Sequence, residues 1–141
     1  NKITNIMKEE WKVYAEVVAS QAKRWPNKCG HHRNLWCVSN LGNFKIMYNY
    51  KDQEKIQVPS RSGGWKGMYL HIATPAGGYR EHFCHRIVAL NFVDNPDPTT
   101  KLIVHHLNGN KLDNRASNLE WTTYKQNMAY YYEAKKLSKI Y

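Results

Sequence analysis

The sequence predicts an α+β fold in which a small antiparallel sheet with a helix precedes a strand–loop–strand–helix unit. Two observations predict it. Between residues 35 and 84, short strand-like runs are separated by glycine-containing turns, which is typical of antiparallel hairpins. Residues 101–127 then read KLIVHHLNGNKLDNRASNLEWTTYKQN, in which two short apolar runs flank a polar loop. We therefore divide the chain into a β-rich region, residues 1–83, and a second region, residues 84–141.

The first region is predicted to begin with a helix. Residues 5–24 carry apolar side chains at mixed spacing with alanines between them, and Pro26 and Gly30 would end a helix there. LWCVSNLGNFKIMYNY then predicts a hairpin, because Gly42 permits the positive φ that a tight turn requires. Further turns at SRSGGWKG and TPAGGY enclose the alternating run MYLHIA. Three or four short strands are therefore expected between residues 35 and 84.

The second region is predicted to open with a short buried helix, HRIVALNFV, at residues 85–93. Its apolar positions include Ile87, Val88, Leu90 and Phe92, and the following DNPDP ends it. The strand LIVH, a long polar loop, the strand LEWTT and a basic, aromatic helix YKQNMAYYYEAKKLSKI follow in order.

The charge of the chain points to a polyanionic partner. Its 21 Lys and Arg against 11 Asp and Glu give a net charge of +10, which favours nucleic acid first and a membrane surface second. No apolar run approaches the roughly 20 residues that span a bilayer, and the N-terminus lacks the apolar segment of a secretion signal. Three cysteines cannot all pair within one chain, so we expect reduced thiols and a cytoplasmic protein.

Four polar residues of the second region are expected to converge. His105 and His106 end the first strand, Asn118 begins the second strand, and Asn127 lies about one turn into the helix. Imidazole and amide oxygen both bind divalent cations, and an unligated imidazole accepts a proton from water near neutral pH. This combination suits hydrolysis of a phosphodiester bond.

These residues also carry a resemblance to a known family. VHHLNGNKLDN, NLEWTT and the nine-residue step from Asn118 to Asn127 resemble the motif of HNH nucleases, which have the ββα-metal (His-Me finger) fold. The closest similarity is to the phage and intron-associated homing endonucleases, in which a helix like CHRIVALNFVDNP usually precedes the motif. Upstream, EEWK and WCVSNLGNFK are similar to the NUMOD-type DNA-binding motif that often accompanies these nucleases.

The resemblance implies a role for each matching residue. His106 matches the general base that activates water, and Asn118 matches the residue that shapes the loop and keeps the base oriented. His105 and Asn127 match the ligands of one divalent metal ion. Mg or Mn is expected, and the imidazole of His105 extends the choice to Ni, Co or Zn. Because both of these ligands are neutral, the ion would depend on a DNA phosphate for negative charge.

Double-stranded DNA is the expected partner, held mainly by basic side chains that release counterions from the phosphates. The candidate contacts are Lys45, Lys51, Arg61 and Lys66 in the first region and Lys111, Arg115 and Lys125 near the cut. One active site per chain favours nicking by a monomer, whereas a homodimer could cut both strands.

Several alternatives stay open at this point. A catalytically decayed DNA-binding protein would explain the missing carboxylate ligand. A zinc-stabilised RNA-binding protein would use Cys29, His31, His32 and Cys37, although their spacing matches no common zinc finger. His85 could point toward the site or simply cap the core. The asparagines at 108, 110 and 114, with Gly109, are interpreted as loop formers.

Overall fold

The computed structural model of the protein describes residues 8–19, 32–48, 53–59, 67–73 and 79–140. Two α-helices lie within these ranges, α1 at Cys84–Phe92 and α2 at Tyr124–Ile140, with a short 3₁₀ turn at Ala116–Asn118. The described strands are β1 (Trp11–Ala19), β2 (His32–Ser39), β3 (Phe44–Tyr48), β4 (Gln53–Gln57), β5 (Tyr69–Ala73), β6 (Tyr79–Phe83), β7 (Ile103–His106) and β8 (Leu119–Thr122).

Strands β1 to β4 form an antiparallel sheet in chain order. Along β3, Phe44 and Ile46 are buried and Met47 is exposed, which is the alternation expected of a strand with one face on the core. Strand β4 forms one edge, and its residues 53–56 are exposed. Its sequence QEKIQ carries charge, a common protection of an open sheet edge.

The helix predicted over residues 5–24 is wrong for residues 11–19. These residues form β1, which pairs with β2 from Trp11 opposite Ser39 to Ala19 opposite His32, with an irregularity between Val13 and Ala15. Valine and aromatic side chains fit a pleated surface well, and β2 supplies hydrogen-bonding partners that local sequence does not reveal. The remaining residues of the predicted helix, apart from residues 8–10, lie outside the described part of the chain.

Two further hairpins, β5–β6 and β7–β8, complete the strand pairing of the described residues. Five strands, rather than three or four, therefore lie between residues 32 and 83. The count was wrong because β4 is an exposed, charged edge strand without an apolar alternation. The predicted turn at Gly42 is confirmed, with φ of 81°.

Helix α1 lies at the centre and contacts both the large sheet and the β7–β8 hairpin. Its buried side chains are Cys84, Ile87, Val88 and Ala89, whereas Leu90, predicted to be buried, is exposed. The same core contains Trp36, Val38, Phe44, Ile46, Leu70, Val104, Leu119 and Trp121. A single apolar core thus joins the two regions that were inferred from the sequence.

The start of α2 is fixed by a reciprocal cap. The Thr123 hydroxyl accepts a hydrogen bond from the Gln126 backbone N–H at 3.1 Å, and the Gln126 side chain accepts one from the Thr123 N–H at 3.0 Å. This capping box satisfies two backbone donors at the helix end. It fixes the first turn of α2, and therefore the direction in which the Asn127 side chain points.

Candidate active site

In the polar loop between β7 and β8, residues 107–118, the side chains of asparagines form the turns. The Asn108 side chain accepts a hydrogen bond from the Asn110 N–H at 2.8 Å, and the Asn110 side chain accepts one from the Leu112 N–H at 3.0 Å. These are turns in which the side chain replaces a backbone acceptor. Gly109 has φ of 74°, a conformation that other residues rarely adopt.

Asn118 ties the two ends of this loop together. Its side-chain oxygen accepts a hydrogen bond from the Asn108 N–H at 3.0 Å. Its amide nitrogen donates to the Asn108 side-chain oxygen at 3.0 Å and to the Asp113 carbonyl at 2.9 Å. Because Asn118 is buried and fully engaged, its side chain is placed to shape the loop rather than to touch a ligand.

His105 and His106 have different surroundings because adjacent residues of a strand point to opposite sides. His106 is buried, with its Nε2 atom 2.9 Å from the side-chain oxygen of Asn114, which is also buried. His105 is half-buried and stacks on Tyr130, with the ring centroids 4.2 Å apart and the planes nearly parallel. Stacking covers one face of the His105 ring and leaves its in-plane nitrogens open to a ligand.

The electrostatics of His105 depend on two opposing effects. Burial lowers the pKa of His105, and the carboxylate of Glu120, which lies opposite His105 in the β7–β8 ladder, raises it by a smaller amount. The net shift is downward. A neutral imidazole is the form that binds a metal ion, and Glu120 adds a nearby negative charge that the sequence pattern did not indicate.

His85 of α1 points toward the site, which resolves an alternative that the sequence left open. Its ring centroid lies 5.2 Å from that of His106 and 5.4 Å from that of Phe83. Burial, with smaller contributions from His106 and Arg86, lowers the pKa of His85 to about 4. The His85 side chain is therefore neutral at physiological pH.

A cavity of about 400 Å³ brings these side chains together. Its polar lining residues are His85, His105, His106, Lys111, Asn127, Tyr130 and Tyr131, and no Asp or Glu is among the described residues that line it. Of the four residues predicted to converge, the cavity contains His105, His106 and Asn127, while Asn118 lies in the loop wall. Three of the four side chains that were predicted to converge therefore line one cavity, and the fourth does not.

The His105 and Asn127 side chains in the cavity fit a divalent ion whose remaining ligands come from outside the chain. Within the described part of the chain, no hydrogen bond reaches the His105 ring nitrogens or the Asn127 side chain. The same residues contain no group of three or more His, Cys, Asp or Glu side chains arranged to hold a metal. One imidazole and one amide leave most of the coordination positions of a divalent ion to other oxygen ligands.

The segment that builds this cavity follows a known family pattern. Residues 82–129 match the model of the HNH endonuclease family. This HNH segment contains α1, β7, the polar loop, β8 and the first residues of α2. Every polar residue that lines the cavity, apart from Tyr130 and Tyr131, belongs to it.

Two curated relatives come from Acanthamoeba polyphaga mimivirus, and both are named as uncharacterized HNH endonucleases. The first is 43% identical over 93 residues, which are 66% of this chain and 22% of the relative. The second is 36% identical over 90 residues, which are 64% of this chain and 24% of the relative. The chain therefore spans less than a quarter of the length of either relative.

A solved structure supports the fold. It belongs to the HNH homing endonuclease I-HmuI and concerns DNA binding and cleavage by that enzyme. The two folds match with a TM-score of 0.51 and 23% sequence identity, over 93% of this chain and 65% of the I-HmuI chain. The predicted α+β fold class, with its HNH unit after an antiparallel sheet, is confirmed.

The basic residues predicted to contact DNA differ in their positions. Lys111 is exposed and lines the cavity, and Lys125 is exposed in the first turn of α2. Arg115 forms a two-point ion pair with Asp113, with Nε and one terminal nitrogen donating at 2.8 and 2.7 Å. These bonds hold the pKa of Asp113 well below its usual range and occupy much of the Arg115 side chain.

Lys45 lies in a more enclosed position than predicted. Its side chain is 15% exposed, forms an ion pair with Glu54 at 3.2 Å and lies over the ring of Trp11. A DNA contact by Lys45 would have to break these interactions. Lys51, Arg61 and Lys66 lie outside the described residues.

Two of the four residues that were proposed to bind zinc lie too far apart to share one ion. His32 and Cys37 occupy one strand five positions apart, which separates their backbones by roughly 16 Å at the usual rise of a strand. Cys37 is buried within the sheet, and burial raises the pKa of its thiol. One tetrahedral ion cannot bind both residues, so the four residues do not form one zinc site. Cys29 and His31 lie outside the described residues.

The sequence interpretation missed two contacts of the site. Asn114 was interpreted only as a loop former, and nothing in the local pattern separates it from Asn108 or Asn110. Tyr130 was one of three consecutive tyrosines, and only the packing of α2 identifies it as the one that stacks on His105.

Regarding membranes, no described helix has both the length and the apolar character needed to cross a bilayer.

Proposed function

We propose that this protein is a divalent-metal-dependent DNA endonuclease that hydrolyses phosphodiester bonds. One observation carries the proposal: the imidazole of His106 lines the same cavity as the side chains of His105 and Asn127, and neither of these two side chains has a hydrogen-bond partner among the described residues. Relatives named as HNH endonucleases and the fold of a DNA-cleaving homing endonuclease support the same reaction class.

In the proposed reaction, His106 accepts the proton of the attacking water. His105 and Asn127 would hold the divalent ion, Mg or Mn in the first instance and Ni, Co or Zn as alternatives. When bound, this ion supplies positive charge at the scissile phosphate and the leaving oxygen. Asn118 keeps the loop in the shape that presents His106, and Lys111 provides a cation for the DNA backbone at the cavity.

We further propose that residues 1–83 form a NUMOD-type DNA-binding region and residues 84–141 the nuclease region. The two halves of the NUMOD-like motif support this, because they meet in the structure. The Glu9 carboxylate accepts hydrogen bonds from the Ser39 hydroxyl at 3.0 Å and from the Asn43 amide at 2.6 Å. One HNH segment in this sequence favours nicking by a monomer, and a homodimer would allow cleavage of both strands.

Cleavage of supercoiled plasmid in Mg or Mn tests the proposal. Cutting should stop in EDTA, and His106→Ala should lower the rate by roughly 10²–10⁴-fold, the usual contribution of a general base. DNA binding, measured by gel shift, should persist. His82→Ala is the matched control, because His82 is an exposed histidine of β6 away from the cavity. Undiminished cutting by His106→Ala would contradict the assignment.

One observation favours a second candidate, a DNA-binding protein whose nuclease site has decayed. No carboxylate is among the described residues that line the cavity, and carboxylates are the usual protein ligands of Mg. This candidate predicts that the wild-type protein binds DNA and Mn but leaves plasmid intact with Mg, Mn, Ni, Co or Zn. Cleavage with any of these ions excludes it.

A further inference from the structure

We propose that Asn114 is a positioning residue that fixes the ring and the tautomer of His106, and that the turn between β2 and β3 holds Asn114 in place. The catalytic consequence of this proposal rests on the proposed nuclease function. The structural part, namely which ring nitrogen of His106 carries the proton, stands independently of any activity.

The contact between the two side chains is short and enclosed. The Asn114 oxygen lies 2.9 Å from His106 Nε2, and the two residues are only 7% and 8% exposed. An amide oxygen can only accept a hydrogen bond, so in this arrangement Nε2 carries the proton and donates. Nδ1 is then the nitrogen with a free lone pair.

This tautomer determines what His106 can do. A neutral imidazole accepts a proton only at its unprotonated nitrogen, and the hydrogen bond made by the other nitrogen selects which one that is. With Nε2–H donated to the Asn114 oxygen, Nδ1 is the nitrogen left to accept the proton of water. Asn114 therefore orients the base.

Asn114 is in turn held by the β2–β3 turn, residues 39–43. The Asn40 carbonyl accepts a hydrogen bond from the Ala116 N–H at 2.8 Å. Gly42 lies so close to the loop that a Cβ placed on it would come within 2.9 Å of the Asn114 backbone carbon and oxygen. The turn thus contacts the backbone of the residue whose side chain contacts His106.

The turn itself is rigidly held. The Asn40 side chain accepts a hydrogen bond from the Glu10 N–H at 2.7 Å and donates one to the Lys8 carbonyl at 3.1 Å. The Ser39 hydroxyl accepts hydrogen bonds from the Leu41 and Asn43 N–H groups at 3.2 and 3.1 Å. The N-terminal sheet therefore supports the base of the nuclease region in addition to any contact it makes with DNA.

The first experiment identifies the tautomer by NMR in protein with ¹⁵N-labelled histidine, in EDTA at pH 8, with His106→Gln used to assign the signals. We expect a protonated Nε2 in the wild-type protein and a mixture of tautomers in Asn114→Ala. A proton on Nδ1 in the wild-type protein, or an unchanged spectrum in Asn114→Ala, would overturn the proposal. Asn91→Ala is the control, because the Asn91 side chain also makes a hydrogen bond, as a donor to the Ile87 carbonyl, but lies on α1.

The second experiment measures plasmid nicking kinetics. Asn114→Ala should lower kcat by roughly 10–100-fold, the usual effect of losing a partner that orients an imidazole, with little change in KM. Asn114→Asp keeps an acceptor oxygen and should retain more activity than Asn114→Ala, while circular dichroism checks that each variant is folded. Equal activity of a folded Asn114→Ala and the wild type would overturn the positioning role. A wild-type protein that never cuts would instead refute the nuclease function, and the NMR result would still decide the tautomer.

Discussion

The polar loop of residues 107–118 and the cavity beside it both contain asparagine, but the side chains have different partners. Asn118 makes three hydrogen bonds within the loop, whereas no described residue hydrogen-bonds to the side chain of Asn127. The amide side chains of the loop fix its shape by hydrogen bonds within the loop. The Asn127 amide in the cavity remains available to a ligand from outside the chain. The comparison predicts that loop substitutions lower stability, and that cavity substitutions leave stability unchanged but weaken binding.

The largest effect on stability is expected for Asn118→Ala. This change removes three hydrogen bonds and leaves the Asp113 carbonyl and the Asn108 N–H without their partner, so the free energy of unfolding should fall by about 3 kcal/mol. Chemical denaturation measures this difference. Asn110→Ala, which removes one hydrogen bond of an exposed side chain, should cost much less. Equal losses for the two variants would show that Asn118 does not hold the loop together.

The next effect is expected for Gly42→Ala, which introduces a side chain where the N-terminal turn meets the loop. The free energy of unfolding should fall by about 2 kcal/mol, because φ is 81° and the new Cβ would meet the Asn114 backbone. Gly109→Ala is a close control, since its φ is 74° but nothing lies within 4 Å of its Cβ position. The difference between the two variants isolates the contact. If both lose the same stability, the turn does not press on Asn114.

A pH-dependent effect on stability is expected for His85. The pKa of His85 is lowered from 6.5 to about 4 in the folded chain, so the unfolded chain binds a proton more readily than the folded chain between these values. Stability should therefore fall as the pH drops from about 6.5 to about 4. His85→Gln should reduce this fall, as measured by thermal melting in EDTA. An identical pH dependence in the two proteins would contradict the buried, neutral state of His85.

The smallest change in stability is expected for Asn127→Ala. Because this side chain has no hydrogen bond to any described residue, the free energy of unfolding should change by less than about 0.5 kcal/mol. Binding of Mn to the protein–DNA complex, measured by calorimetry, should weaken at the same time. A large loss of stability with unchanged Mn affinity would assign Asn127 to the structure instead of to the metal.

The sequence predicted the HNH segment more accurately than the region before it. In the segment, two apolar runs around a loop of asparagines define the strands, and the basic, aromatic run from Tyr124 defines α2. Residues 11–19 were wrongly predicted as a helix, because their partners in β2 lie 13 to 28 positions away along the chain and local spacing does not reveal them. Strand β4 was missed because an edge strand need not be apolar on either face.

Local sequence also failed to reveal some partners within the site. His105, His106 and Asn127 could be assigned to one cavity because strand ends and a helix start bring fixed positions together. Asn114 could not be distinguished from its neighbours, because its partner His106 lies eight residues away and depends on the path of the loop. The orientation of His85 was likewise decided by the packing of α1 against the β7–β8 hairpin.

The contact of Gly42 with Asn114 has a consequence for protein engineering. A chimaera that joined the HNH segment to a different N-terminal sheet would replace the surface that contacts the loop. Such an exchange would preserve this contact only if the new sheet offers a residue without a Cβ at the position of Gly42 and a carbonyl at the position of Asn40. The turn of residues 39–43 would therefore have to accompany the HNH segment in such an exchange.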